Sequence, residues 1–348
     1  MHSFYLNRCI ELAQLGKGTV SPNPLVGCVI VHNNLIIGEG WHRQFGGPHA
    51  EVNAILSVKN KELLPQSTLY VNLEPCCHFG KTPPCTNLIL QSGIKKVVVG
   101  MVDPNPNVAG KGIAQLRQNG VEVITDVLTH ECTELNKRFI WNQTKQQVYV
   151  ILKWAQTANC MLAPDAAKLS PDEFEKQRHI TGKTIQMLVH KWRTQEDAIM
   201  VGTNTALTDN PALNNRAWPG KAPVRVVLDQ HLRLPHHLKI FDNSQTTLIV
   251  NAKQNKHVKN TIWLQLDFST NWQLQLVQYL YQKMGLGSLI VEGGQILLTS
   301  FIQQQLFNEI QVFTSKTSIE HGVKAPNFSA NLTQTKTIDG VTLNVFIP

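Results

Sequence analysis

Two α/β domains, each a sheet layered with helices, are what this 348-residue sequence predicts. Short apolar runs rich in β-branched residues alternate with segments of helical periodicity in both halves, the pattern of layered strands and helices. The chain is long enough for two proper cores. A polar stretch, Asn142-Gln143-Thr144-Lys145-Gln146-Gln147, separates the two patterned halves, so the expected domains are residues 1–147 and 148–348.

In the first half, residues 4–15 carry apolar groups at helical spacing and Gly16-Lys17-Gly18 ends that helix. Residues 26–31 predict a strand, turned by His32-Asn33-Asn34 into a second strand over 35–38. Pro48 suits the first turn of a helix, and residues 51–56 are apolar at helical spacing, which sets His49 and Glu51 at a helix N-terminus. Residues 67–73 predict a strand running into Cys76, and Pro83-Pro84 opens a helix at Cys85. A strand over 96–100, a helix over 109–119 stopped by Gly120, a strand over 121–124 and a helix over 130–141 follow.

The chemistry concentrates in Pro48-His49-Ala50-Glu51 and in Glu74-Pro75-Cys76-Cys77-His78-Phe79-Gly80-Lys81-Thr82-Pro83-Pro84-Cys85. One imidazole and two thiolates, from His49, Cys76 and Cys85, make an open zinc site whose fourth position is left for water. Zinc lowers the pKa of such a water to roughly 7. Glu51 beside it is the proton carrier that attack on an amino-bearing ring carbon requires. A zinc deaminase signature has this form, H-x-E followed by P-C-x-x-C, although here eight residues separate Cys76 from Cys85. A structural zinc site closed by Cys77 or His78 is the competing reading, and His42 and His78 are either packed histidines or substrate contacts.

In the second half, residues 148–153 predict a strand. Residues 181–193 predict a helix with Thr181 as N-cap and Ile185, Leu188, Val189 and Trp192 on its apolar face. Strands are expected over 198–201, 224–229, 247–250 and 261–264, with an amphipathic helix over 272–284. Residues 288–292 then run through Gly293-Gly294 into a helix from Gln295, a turn that presents backbone N–H groups to an anion. Residues 309–314 and 322–328 offer strand and loop without assignable chemistry.

With its long gap, the motif resembles the deaminase half of the bifunctional riboflavin-biosynthesis deaminase/reductase family. Asn23-Pro24-Leu25-Val26-Gly27, Asp103-Pro104-Asn105-Pro106 and the 202–213 segment of the second half carry the resemblance further. It implies a cytidine-deaminase-like domain followed by a dihydrofolate-reductase-like domain. The implied activity is zinc-dependent hydrolytic deamination of 2,5-diamino-6-ribosylamino-4(3H)-pyrimidinone 5′-phosphate, then reduction of its ribose to ribityl with NADPH. By the same resemblance Ala155, His179, Thr205 and Asp209 contact NADPH. Asn23, Gln177, Arg193, Leu213, Arg216 and Glu292 contact the phosphorylated pyrimidine. Three positions depart from the family pattern: Cys77 replaces a serine, Asn159-Cys160 an Asp-Gly, and His179 a tryptophan. A silent reductase half is the alternative those last departures suggest.

Composition bounds the rest. With 42% hydrophobic and 16% charged residues the chain is globular rather than disordered. The formal charge of +8 is spread as +3 before Gln147 and +5 from it onward, without the basic stripe of a nucleic-acid groove. That argues against a nucleic-acid base deaminase, while anionic small molecules remain compatible. Seven scattered cysteines argue against a disulfide framework. No targeting signal or membrane span is apparent, and the expectation is a cytoplasmic enzyme with no membrane partner, compatible with homo-oligomers.

Overall fold

The computed structural model of the chain describes residues 1–78, 83–105, 108–165 and 167–348. Its contacts divide it into two compact units, Met1–Gln146 and Gln147–Pro348. Among the described residues no helix is long and apolar enough to cross a membrane.

The first unit runs α1 (His2–Gln14), β1 (Gly27–His32), β2 (Leu35–Trp41), α2 (Ala50–Ser57), β3 (Thr68–Val71), α3 (Cys85–Gln91), β4 (Lys96–Val99), α4 (Lys111–Gln118), β5 (Glu122–Ile124), α5 (Thr129–Leu135) and α6 (Lys137–Lys145). Its five strands lie in the order β2-β1-β3-β4-β5. Period-two alternation sends Cys28, Ile30, Leu69, Val71, Val97 and Val99 to one face, packed on Ala54, Ile55, Ile89 and Leu116. Val29, Val31, Tyr70 and Val98 go to the other, covered by Leu6, Cys9 and Leu12 of α1. The expected hairpin forms: Asn33 and Asn34, at φ 48° and 64°, make the two-residue turn between β1 and β2.

Gly40 lets α2 lie directly on β2, because a Cβ there would fall 2.3 Å from the Ala54 nitrogen. That close approach fixes where the N-terminus of α2 sits. The single helix expected over 130–141 is instead two, broken at Asn136, and α6 continues to Lys145 into the polar stretch expected to be linker. The buried Asn136 accepts from the Leu25 N–H at 2.8 Å and donates to its carbonyl at 3.0 Å.

The second unit runs β6 (Tyr149–Gln156), β7 (Met161–Pro164), α7 (Pro171–Gln177), α8 (Lys183–Arg193), β8 (Ala198–Gly202), α9 (Thr203–Asp209), β9 (Val224–Leu228), β10 (Thr247–Asn251), β11 (Lys256–Val258), β12 (Thr261–Gln265), α10 (Trp272–Gln282), β13 (Ser288–Val291), α11 (Gln295–Gln303), β14 (Glu309–Thr314), β15 (Gly322–Lys324), β16 (Asn331–Ile338) and β17 (Val341–Ile347). Ten strands form one sheet, β11-β12-β10-β9-β8-β13-β6-β14-β17-β16, and β7 pairs with β15 separately. From β12 to β14 the neighbours run parallel. Val150, Leu152, Trp154, Leu289 and Val291 pack on Leu276, Val277 and Leu280 of α10 and on Leu297, Leu298 and Phe301 of α11. On the opposite face Ile185 and Val189 of α8 meet Phe313 and Leu343.

Gly182, not Thr181, is the N-cap of α8, and α10 ends at Gln282 rather than 284. Neither α7 nor the terminal pair β16–β17 was anticipated from the sequence.

Candidate active sites

In the first unit His49 is the N-cap of α2, Glu51 lies in its first turn, and Cys85 is the first residue of α3, behind Pro84. Two helix N-termini therefore converge on Cys76, which follows the exit of β3. Cys76 is held from both sides: its Sγ accepts the Cys85 N–H at 3.3 Å and its carbonyl accepts the Thr86 N–H at 3.2 Å. His49 Nδ1 lies 3.6 Å from Cys76 Sγ and 3.3 Å from Cys85 Sγ. All three donor atoms fall within 4.8 Å of one another.

These separations fit zinc. Bond lengths of about 2.0 Å to nitrogen and 2.3 Å to sulfur at a tetrahedral angle put N and S about 3.5 Å apart. Among the described residues Cys77 and His78 do not join this group, so three protein donors converge and the structural-site reading loses its fourth ligand. Residues 79–82 of the motif, with Lys81, and Pro106 lie outside the described residues.

Of the two neighbouring thiols, Cys76 is the one whose pKa is lowered. The Cys85 side chain, then His49, hold its pKa down to about 4 against burial. Cys85 is pushed up by the Cys76 side chain and by burial. Burial, then the Cys76 charge, raise the carboxyl of Glu51, which is 3% exposed. A buried carboxylate whose proton affinity is raised is suited to accepting and passing on a proton near neutral pH.

His42 is a packed and hydrogen-bonded residue. It is buried and its ring meets His49 edge-on at 5.6 Å. Its Nδ1 lies 3.0 Å from the Pro48 carbonyl and its Nε2 3.0 Å from Asn23 Nδ2. Burial lowers its pKa, so the neutral ring donates from Nδ1 and accepts the Asn23 amide at Nε2. Asn23 is thereby held through its amide nitrogen.

In the second unit a cavity of about 550 Å³ opens at the carboxyl ends of β6, β8 and β13. Ala155, His179, Thr205, Asp209 and Glu292 all line it. Thr205 Oγ1 accepts the Gly294 N–H at 3.2 Å, tying α9 to the start of α11. Glu292 Oε2 accepts from Arg193 at 2.8 Å, and Arg193 also donates to the Asn214 carbonyl at 3.1 Å. Against burial, the charges of Arg193 and Lys153 hold the Glu292 carboxyl down at about 2.

Four expected residues do not line the cavity. Arg193 stands behind Glu292. Leu213 is buried among apolar residues. Arg216 is exposed, donating to Asn214 Oδ1 at 3.2 Å, and Gln177 is the exposed last residue of α7.

Lys153 was missed. It shares the cavity face of β6 with Ala155, its Nζ is 3.9 Å from Glu292 Oε1, and burial lowers its pKa. The signal was available: a lysine two residues before Ala155 on an apolar strand points to the same face.

The departures near the cavity also resolve. Asn159 Oδ1 accepts from Thr157 Oγ1 at 2.7 Å and its Nδ2 donates to the Ile319 carbonyl at 2.8 Å, which closes the turn after β6. Cys160 sits there at φ 61°, the left-handed conformation that favours glycine.

Comparison with known proteins adds the following. Residues 1–101 match the model for the cytidine and deoxycytidylate deaminase zinc-binding region, and residues 148–316 match that for the RibD C-terminal domain. The chain is 40% identical to riboflavin biosynthesis protein RibD of Actinobacillus pleuropneumoniae, over 89% of this chain and 82% of the relative. It is 37% identical to that of Aquifex aeolicus, over 92% and 88%. Among solved structures it resembles the diaminohydroxyphosphoribosylaminopyrimidine deaminase/5-amino-6-(5-phosphoribosylamino)uracil reductase of Thermotoga maritima. The TM-score is 0.89 at 34% identity, covering 100% of this chain and 98% of that one. RibD of Acinetobacter baumannii gives a TM-score of 0.87 at 30% identity, with the same coverage.

Proposed function

The chain belongs to the RibD family of bifunctional riboflavin-biosynthesis enzymes, and from that premise we propose how its residues divide the two reactions. The first unit is a zinc-dependent, cytidine-deaminase-like deaminase, and the second an NADPH-dependent, dihydrofolate-reductase-like reductase. The substrate is 2,5-diamino-6-ribosylamino-4(3H)-pyrimidinone 5′-phosphate. The observation that carries the deaminase assignment is the convergence of three donors, with no fourth among the described residues, beside a buried carboxylate.

His49, Cys76 and Cys85 hold the zinc. When bound, it acidifies water so that a nucleophile is available at neutral pH. Glu51 accepts one proton of the water and delivers it to the ring nitrogen; it then carries the second proton, from the hydroxyl left on the ring carbon, to the amino group, which departs as ammonia while oxygen stays in its place. Asn23, held by His42, faces the pyrimidine.

In the second unit Ala155, His179, Thr205 and Asp209 form the NADPH side of the cavity, and Glu292 with Arg193 behind it the substrate side. Gln177, Leu213 and Arg216 belong to the substrate set on the resemblance alone. Bound NADPH supplies hydride to the sugar carbon. The protein's part is to hold the two reactants side by side and dry, so positioning contributes most of the rate. The closed Thr157–Asn159 turn supports an active reductase despite the replaced residues.

A cytoplasmic location and self-association belong to the same proposal. Seven free cysteines support a reducing compartment.

The test supplies zinc-loaded protein with the diaminopyrimidinone ribotide and follows ammonia release and NADPH oxidation in one sample. Ammonia followed by stoichiometric NADPH loss is expected. Ammonia without NADPH loss, with added deaminated product also left unreduced, would overturn the reductase assignment. Neither signal from zinc-loaded, folded protein would overturn the substrate.

A further inference from the structure

Glu74 is not one of the three converging metal donors and touches none of the residues assigned to substrate. Its side chain is nonetheless 3% exposed and accepts four backbone N–H groups. Oε2 takes those of Asp103 at 3.1 Å and Gly110 at 2.9 Å. Oε1 takes those of Gly112 at 2.9 Å and Ile113 at 3.1 Å. The backbone of Glu74 joins in, its N–H donating to the Met101 carbonyl at 3.0 Å.

Two residues further along the chain stands Cys76. One carboxylate thus connects the exit of β3, where a metal ligand sits, to the loop after β4 and to the first turn of α4. The fit leaves no slack on the helix side: a Cβ on Gly112 would lie 2.2 Å from the Pro75 carbonyl oxygen and 3.2 Å from Glu74 Oε1. At the loop end, Asp103 is 9% exposed and accepts the Asn105 N–H at 2.8 Å, so the direction of the loop follows from where Glu74 holds the Asp103 nitrogen. Asp103 also lies near enough to feel the charge of Cys76.

We propose that Glu74 is a positioning residue of the deaminase: its four accepted N–H groups set the distance between the metal ligand Cys76 and the Asp103-Asn105 segment, so that this segment serves as a wall for the pyrimidine. Four N–H groups in this arrangement need two acceptor oxygens, each taking two. A glutamine of the same shape turns one oxygen into an NH₂ donor that faces two N–H groups. The proposal rests on the deaminase reading of the first unit.

The test uses the full chain with Glu74→Gln and, separately, Gly112→Ala, which presses on the same junction from the helix side. Zinc content, thermal unfolding, and kcat and KM for ammonia release are measured beside the unmodified protein. Both variants are expected to keep about one zinc per chain and to lose kcat/KM by about 10- to 100-fold, mostly through a raised KM, since the ligands stay and the wall shifts. A kcat/KM per bound zinc within about twofold of the unmodified chain in both variants overturns the proposal. So does a loss that tracks zinc or folded protein while KM stays constant, because that is what a purely structural residue gives. Ammonia release by the unmodified chain tests the deaminase reading in the same assay, so a defect confined to the variants concerns Glu74 alone.

Discussion

The Arg193 guanidinium and the Glu292 carboxylate form a largely buried ion pair, Nη2 to Oε2 at 2.8 Å, with the Lys153 ammonium 3.9 Å from the other oxygen. Two cations around one carboxylate keep it ionised despite burial, at about 2 instead of an ordinary 4.5. A depressed acid pKa contributes stability that is fully present above pH 4.5 and is lost as pH falls toward 2. Denaturant unfolding at a series of pH values, followed by circular dichroism, should show this acid limb. Glu292→Gln should flatten it while lowering stability at pH 7, because Arg193 and Lys153 are then left uncompensated. An unchanged acid limb in the variant would assign the pH dependence to other groups.

Glu51→Gln should retain zinc and lose ammonia release by about two to four orders of magnitude, the range for a general acid–base group. NADPH oxidation with added deaminated product should be untouched in the same preparation. Undiminished deamination by the variant would remove Glu51 from the mechanism.

His42 and Asn23 should act as one device. His42→Ala frees the Asn23 amide to rotate, so KM for deamination should rise about tenfold with a smaller change in kcat. Asn23→Ala should do the same, and the double variant should be little worse than Asn23→Ala alone, since the histidine acts through the amide. Additive losses would mean that His42 meets the substrate directly.

Cys160 is strained where it stands. Holding a non-glycine residue in the left-handed region costs ~1 to 2 kcal/mol, partly offset by the greater freedom of an unfolded glycine. Cys160→Gly should therefore stabilise the second unit by ~0.5 to 1 kcal/mol, seen as an upward shift of a few degrees in thermal unfolding. A fall in the midpoint would show that the Gln156 to Cys160 contact, at 3.7 Å, matters more than the backbone.

The convergence of His49, Cys76 and Cys85 was legible because metal chemistry demands particular side chains, and a short motif exposes them to inspection. The strands of both cores were legible for a related reason: a strand buried on both faces is a continuous apolar run, as in Val148-Tyr149-Val150-Ile151-Leu152. Glu74 was invisible in the same motif because its partners are backbone N–H groups, which leave no trace in residue type. β16 was missed because seven of its eight residues are exposed, so no apolar alternation marks it. Helix α7 did carry a mark, the capping box of Ser170 and Glu173 with Pro171 between them, but its short length and lack of buried residues give it no apolar stripe. Gly182 displaced Thr181 as the cap of α8 because that helix begins one residue later than the hydroxyl suggested. The two arginines expected to meet substrate illustrate the limit of a motif: Arg193 is anchored behind Glu292, whereas Arg216 extends into solvent.

The position of β6 has a consequence for the order in which the protein can be made. β6 is the first strand of its unit, yet both of its parallel neighbours, β13 and β14, come from the last fifth of the chain. In the first unit every strand of the sheet has been synthesised by Ile124. A growing chain can therefore complete the deaminase sheet and gather its zinc donors long before the floor of the reductase cavity exists. Until Ser288 leaves the ribosome, β6 and its apolar face have no partner on either side, and that interval is when the nascent reductase is most exposed to mispairing with other strands.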